Sequence, residues 1–192
     1  MKMNASLCLC PLCAGLLLCC SALDATTIER LPLARMVQAA RIIVRARCVS
    51  NSTAWASGEI WTFTTFNVEE AWKGERSEEV PAMITIRLLG GAAGALTSHV
   101  SGVPRFSPGE DAVIFLEPVS PGDFSVLGWA EGTFRIVRDP RTGEKIVLQD
   151  TAAFATFNPK TRRFETEGLR NVPLAAFRER VHSALAATGE RK

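Results

Sequence analysis

Over residues 42–48 the apolar side chains recur at every second position, and only an extended strand turns that period into a face. Ile42, Val44, Ala46 and Cys48 fall on one side, while Arg45 and Arg47 fall on the other. The pattern predicts a half-buried strand with Cys48 on its core side. Asn51-Ser52-Thr53 and Ser57-Gly58 supply the next turn, and residues 59–72 read as a second strand. Its alternation has two readings. Without a bulge, Ile60, Thr62, Thr64, Phe66 and Val68 face inward and leave Trp61 and Phe63 outside. With a bulge at Thr64-Thr65, Trp61 and Phe63 turn inward together with Phe66 and Val68.

Further strand signals follow at Ile84, Ile86 and Leu88, at residues 113–116, in a long run over residues 124–137, and at Ile146-Val147-Leu148. Gly128 and Gly132 would let the long run bend, and a second strand of fourteen residues is long enough to serve both halves of a barrel. Helical spacing occurs only at the ends. Leu33, Met36, Val37 and Ala40 recur at three- and four-residue intervals, and Leu174, Phe177, Val181 and Leu185 form one stripe of a helix over about residues 173–187. Asn171 is its expected cap. The fold expected is therefore mainly β: a small OB-like barrel of about five or six strands over residues 26–150, with a short N-terminal helix. Residues 151–192 form an extension that carries the C-terminal helix, docked by its apolar stripe on the barrel.

The cysteines bear on compartment and stability. Of six, five lie within the first twenty residues, inside the apolar run 7–20, and only Cys48 lies beyond. Lys2 precedes the run and Ser21, Ala22 and Ala25 follow it. A charged start, about a dozen apolar residues and a small-residue exit are the parts of a secretory leader. Residues 1–22 are read as a signal peptide with cleavage near Ala22 or Ala25, and the protein as secreted or periplasmic. The run is shorter than the roughly 20 residues that span a bilayer, so the mature chain is expected to have no transmembrane segment. Lipid attachment at Cys19 or Cys20 is the alternative, against which stand the bulky Leu18 and Cys19 where a small residue normally precedes the modified cysteine. A mature chain with one cysteine has no internal disulfide, so its core alone must hold it.

Three segments carry a resemblance. Residues 40–50, Ala-Arg-Ile-Ile-Val-Arg-Ala-Arg-Cys-Val-Ser, resemble the first-strand signature of tissue inhibitors of metalloproteinases and related netrin-type modules. Phe66-Asn67-Val68-Glu69-Glu70-Ala71-Trp72-Lys73-Gly74 is similar to the second-strand ending of that family, and Gly128-Trp129-Ala130-Glu131-Gly132 to a late Gly-x-Ala-Glu-Gly step. The order of these features, with Gly102–Glu110 reading Gly-Val-Pro-Arg-Phe-Ser-Pro-Gly-Glu before an apolar strand, also resembles uncharacterised secreted bacterial modules. The resemblance covers about residues 39–137 and implies an OB-fold. It does not carry over the inhibitory mechanism, because the family coordinates its target's zinc through an amino-terminal cysteine clamped by disulfides. The expected mature chain has no disulfide to clamp it and no amino-terminal cysteine except in the lipoprotein form, where that cysteine would be acylated.

Chemistry is sparsely provided. There are two histidines and no tyrosine, and the formal charge is +2 from 22 basic and 20 acidic residues. That balance disfavours a nucleic-acid partner. His99 and His182 form no zinc-binding pair, and no metal or cofactor is expected. His99, near Ser98 and Ser101 in a glycine-rich segment, is the one candidate general base, without an evident orienting carboxylate. Gly90-Gly91-Ala92-Ala93-Gly94 lacks the Gly-Lys-Ser/Thr of a phosphate loop and reads as a connector. The expected function is non-catalytic binding through protein or envelope contacts. Regulation of an extracytoplasmic protease is the runner-up, and an envelope hydrolase centred on His99 is a distant third. Trp55, Trp61 and Phe63 form the expected binding face, bordered by Arg45, Arg47 and Arg87, because OB barrels bind through their second and third strands. A protein or peptide partner suits that face, and a glycan stacked on Trp61 is the alternative. The opposing possibility is that the C-terminal tail covers these aromatics.

Intact-mass analysis of the exported chain should find Leu23 or Thr26 at the amino terminus and one free thiol. A diacylglycerol increment on Cys19 or Cys20 would establish the lipoprotein form, and retention of Met1 would contradict both.

Overall fold

The computed structural model describes residues 31–74, 80–153, 156–158, 161–165 and 168–189. The expected leader lies outside them. Among the described residues the elements are, in chain order, α1 (Leu33–Ala39), β1 (Ile42–Ala56), β2 (Glu59–Lys73), β3 (Met83–Leu89), β4 (Gly91–Ala93), β5 (Leu96–Ser98), β6 (Asp111–Ser120), β7 (Asp123–Val126), β8 (Thr133–Arg138), β9 (Lys145–Gln149), β10 (Thr156–Asn158), β11 (Arg163–Glu165), β12 (Val172–Pro173) and α2 (Leu174–Gly189). The chain is mainly β, with a short helix at one end and a longer one at the other.

Among the described residues the main sheet has eight strands in the order β1-β2-β3-β7-β6-β8-β9-β12, and β1 also pairs with β6. That extra pairing curls the first five into a partial ring, β1-β2-β3-β7-β6 and back to β1. The pairs are antiparallel except β3 with β7, where a single parallel bridge joins Ile86 to Phe124. This is the Greek-key connectivity of an OB-like barrel, with β8, β9 and β12 extending from β6 as a side wing. The expected five or six strands thus account for the ring, and the wing adds to them.

The strand at the centre is β6. Residues 111–116 pair with β1 and residues 111–114 also with β8, while residues 116–120 pair with β7. Ala112, Val113, Ile114, Phe115 and Leu116 are all fully buried. Alternate residues serve two different cores. Ala112, Ile114 and Leu116 join Ile42, Val44, Ala46, Cys48, Phe66, Ile84, Ile86 and Leu88 inside the barrel. Val113 and Phe115 join Ile43, Trp72, Phe134 and Val147 beneath the helices, where Met36 and Val37 of α1 and Phe177 and Val181 of α2 dock. Both faces being covered explains why residues 112–116 read as a continuous apolar run with no alternation. The expected docking of α2 by its apolar stripe is what the packing shows, with Phe177 4.7 Å from Phe134 and 6.0 Å from Trp72 between ring centroids.

Several boundaries differ from those read in the sequence. β1 runs on through Asn51-Ser52-Thr53 to Ala56, because those residues pair with β2, and the turn is confined to Ser57-Gly58, both at positive φ. The long run over residues 124–137 is two strands. Gly128 is left-handed, a 3-10 turn spans Trp129–Gly132, and a Cβ on Gly132 would meet the Leu127 carbonyl at 2.3 Å. The glycine-rich segment is no loose connector but the β4–β5 ribbon. Asn171 is not adjacent to α2, since it turns at positive φ before β12. Lys73 ends β2 and spans to α1, where its ammonium donates to the carbonyls of Val37, Gln38 and Ala40. A cation on the last carbonyls of a helix complements its dipole and satisfies orphan acceptors.

Cys48 is 1% exposed on the inner face of β1, as its alternation predicts. Burial pushes its thiol above the ordinary value, with Glu110 adding to the effect. Alkylation of the native protein should therefore be slow until it unfolds. Cys48→Ser should cost on the order of 1–3 kcal/mol. Labelling as fast as a free thiol would contradict this placement.

Candidate functional site

Three strands present the face expected to bind. In antiparallel pairs, directly opposite residues point the same way. Trp61 lies opposite Ala54 of β1 and Leu89 of β3, and Phe63 lies opposite Ser52 and Arg87. Their β2 neighbours Ile60 and Thr64 are buried, so Trp61 and Phe63 point outward, where both are half-buried. Pairing of β2 with β3 runs without a slip from Trp61 to Asn67, so there is no bulge at Thr64-Thr65. The slip falls on β1 instead, where Val49 is the extra residue between Cys48 and Ser50. The arrangement without a bulge at Thr64-Thr65 is the one present, and the bulges of β2 itself fall further along, at Glu69 and Trp72.

The guanidinium of Arg87 lies 5.0 Å from the centroid of the Trp61 ring and 3.7 Å from the Asp123 carboxylate. A cation over an indole face is attracted by the ring quadrupole. Arg87 thus occupies part of one ring face and is itself held by the β6–β7 corner. On the other flank stand only the small Ser52 and Ala54, which leave the aromatics as a raised edge beside a low shelf.

The other expected members are elsewhere. Trp55 pairs with Ile60, whose side chain is buried, so it belongs to the opposite face of the hairpin, 57% exposed near its tip. The turn length hid this: with β1 continuing to Ala56, the parity of Trp55 is fixed by pairing and no longer by a loop. Arg45 and Arg47 do not border the aromatics either. They sit near the other end of β1, where Arg45 bridges Glu69 and Glu70 at 2.7 Å each and Asp111 at 3.5 Å. Arg47 reaches Glu69 at 3.2 Å and Asp111 at 3.3 Å. These arginines neutralise carboxylates of the neighbouring strands, and the Glu69-Glu70 pair in the sequence was the available signal.

Glu70 ties this network to α2. It accepts from the Trp72 indole at 3.1 Å, from Arg45, and from Arg178 at 3.2 Å. The indole hydrogen bond foremost, with the two guanidiniums behind it, holds its carboxyl below the usual range.

Two of the clefts among the described residues bear on the candidate residues. One, of about 300 Å³, is lined by His99, Ser101, Arg105, Arg135 and Asp150. Asp150 is the carboxylate that sequence reading did not connect with His99. It is already engaged by Arg135 at 2.7 Å, whose other arm holds Glu110 at 2.6 Å. No hydrogen bond among the described residues joins His99 to Ser101 or Asp150, so the nucleophile–base–carboxylate relay that acyl transfer needs is not assembled. His182 lies exposed on α2 beside Trp72.

The second cleft, of about 230 Å³, opens at the mouth of the barrel and was not foreseen. Asn51, Thr53, Thr62, Thr64, Leu88 and Phe106 contribute to it, and Arg105 is its single ionisable residue. Its hydroxyls act as fasteners. Thr62 donates to the Gly90 carbonyl at 2.6 Å, Thr53 to that of Ala92, and Thr64 to the Asn51 side-chain oxygen, while the Asn51 amide donates to the Phe106 carbonyl. Gly91 makes this close approach possible: at φ +137, its Cβ would meet the Thr62 hydroxyl at 2.5 Å. The only sequence signal was two threonines on an inward-facing strand.

Among the described residues no cluster of His, Cys, Asp and Glu is arranged to hold a metal ion, and no helix is long and apolar enough to cross a membrane. No family model, curated protein or solved structure matches the chain.

Because the Glu70 carboxyl is depressed in the folded protein, its stabilising contribution is complete above its ordinary value of 4.5 and is lost as pH falls through the depressed one. Between about pH 5 and pH 3 the melting temperature should fall less in Glu70→Gln than in the wild type. Equal slopes would show that the clasp between β2 and α2 carries no linkage.

Proposed function

We propose that this protein is an extracytoplasmic, non-catalytic binding module that engages a protein or peptide partner through the outer face of β1, β2 and β3. The observation that carries the reading is the pair Trp61 and Phe63, both outward and half-buried on a rigid sheet beside Leu89. Aromatics fixed on strands lose little entropy on binding and are the residues most often found to anchor partners. The second and third strands are also where OB barrels bind.

The class of partner follows from what surrounds them. Of the three arginines expected at the rim, only Arg87 is there, and it is paired with Asp123; a nucleic-acid strand would need a continuous cationic track. A stacked sugar would need an open indole face, and Arg87 lies over the Trp61 ring. A peptide or protein surface, by contrast, fits a mixed edge of two aromatics, one leucine and one oriented cation. The extracytoplasmic setting rests on the leader-like pattern of residues 1–22. Regulation of an extracytoplasmic protease is a narrower form of this reading.

The test is a crosslinking pull-down from the native envelope or secreted fraction with wild type and a Trp61→Ala, Phe63→Ala variant. Losing the anchors should weaken capture by about 2 kcal/mol or more, roughly 30-fold. Because both side chains are half-exposed, thermal stability should fall by no more than about 1 kcal/mol. Undiminished capture by a folded variant would remove this face as the site.

A further inference from the structure

The outer half of β1 is an open edge. Residues 43–47 pair with β6 on one side and with β2 on the other, but from Ser50 to Ala56 the pairing is with β2 alone. The last backbone ties on the β6 side are at Cys48, to Glu110 and Gly109. Every residue from Val49 to Ala56 is exposed. Among the described residues, no backbone group pairs with that edge. Such edges are normally protected by charge, proline or cover, since each offers unpaired N–H and C=O groups to another strand. Here the sequence is Val-Ser-Asn-Ser-Thr-Ala-Trp-Ala, with no charged residue and no proline.

We propose that this edge is the self-association surface of the protein, where β1 of a second copy pairs with it antiparallel about a two-fold axis at Thr53. An uncharged strand pairs with itself without opposing like charges, and a two-fold contact of one patch with itself closes at a dimer. The register follows from the side chains. Asn51, Thr53 and Trp55 share the face of Thr64, Thr62 and Ile60. With the axis at Thr53, Trp55 of each copy stands opposite Asn51 of the other. Asn51 lines the cleft at the barrel mouth, which has an apolar wall of Leu88, Val103 and Phe106. The exposed indole of one copy therefore lies over the cleft of the other. The two sheets become continuous through β1 of each copy, and the outer faces with Trp61 and Phe63 stay free.

Sedimentation of the purified native chain across a thousandfold concentration range tests the association. A dimer should form with rising concentration, the amides of Asn51, Thr53 and Trp55, which point away from β2, should gain exchange protection with it, and Trp55→Ala should weaken it at least tenfold while Trp61→Ala leaves it unchanged. The register has its own probe. Opposed residues in an antiparallel pair are about 4.5–5.5 Å apart at Cα, within the reach of a disulfide at about 4.4–6.8 Å. Thr53→Cys should therefore crosslink under mild oxidation, whereas Ala56→Cys, roughly 20 Å from its copy at 3.3 Å per residue, should not. A monomer at every concentration, with these amides still exchanging freely, overturns the proposal and leaves the edge to a foreign strand. A dimer insensitive to Trp55→Ala, or linked through residue 56 in place of 53, overturns it equally.

Discussion

Everything in this fold depends on β6 being buried from both sides. Its inward residues complete a barrel core and its outward residues complete a second core under two helices, so one strand of the sheet has no solvent face over five consecutive positions. Because Cys48 is the single cysteine among the described residues and is free, the covalent constraint that small extracellular domains often use is not what holds them together. The apolar burial on either side of β6 does that work. The ion network of Arg45, Arg47, Glu69, Glu70 and Asp111 lies along the same strands and, through Arg178, fastens α2 over the second core.

This arrangement separates two jobs along β1 and β2. Over residues 43–47, β1 is structural, paired with β6 on one edge and with β2 on the other. Beyond Cys48, β1 leaves the core, and the hairpin it forms with β2 has two unlike faces and one open edge. Within it, β2 stays anchored by buried Ile60, Thr64 and Phe66 and by its pairing with β3. The aromatic face, the barrel-mouth cleft and the free edge all belong to that hairpin. It is built on a rigid base, and it carries Val49 and Trp55, two of the exposed large apolar groups left over once the cores are filled.

Much of this was legible in the period of the apolar residues. Two-residue alternation in β1, three- and four-residue spacing in α1 and α2, and the apolar stripe at Phe177 and Val181 each follow from which side meets the core, and burial enforces that strictly. What could not be read was set by pairing. Nothing local distinguishes Asn51-Ser52-Thr53 as strand from the same residues as turn; their partners on β2 decide it, and with it the face that Trp55 occupies. The split at residues 128–132 turns on the Leu127 carbonyl pressing against Gly132, a contact made only once β7 and β8 are in place. In the candidate face, the outward direction of Trp61 and Phe63 follows from alternation, whereas Arg45 and Arg47 lie elsewhere because their acidic partners lie across the sheet. The threonine-lined cleft was missed because threonine on an inward face carries no charge or motif to mark it.

Native-state hydrogen exchange resolved by residue addresses the central claim, that one doubly buried strand holds the protein together. The account predicts that the amides of residues 112–116 exchange only by global unfolding, while those of α2, held from one side, open at lower free energy. If α2 retained its protection while residues 112–116 exchanged, β6 would not be the strand on which the fold depends.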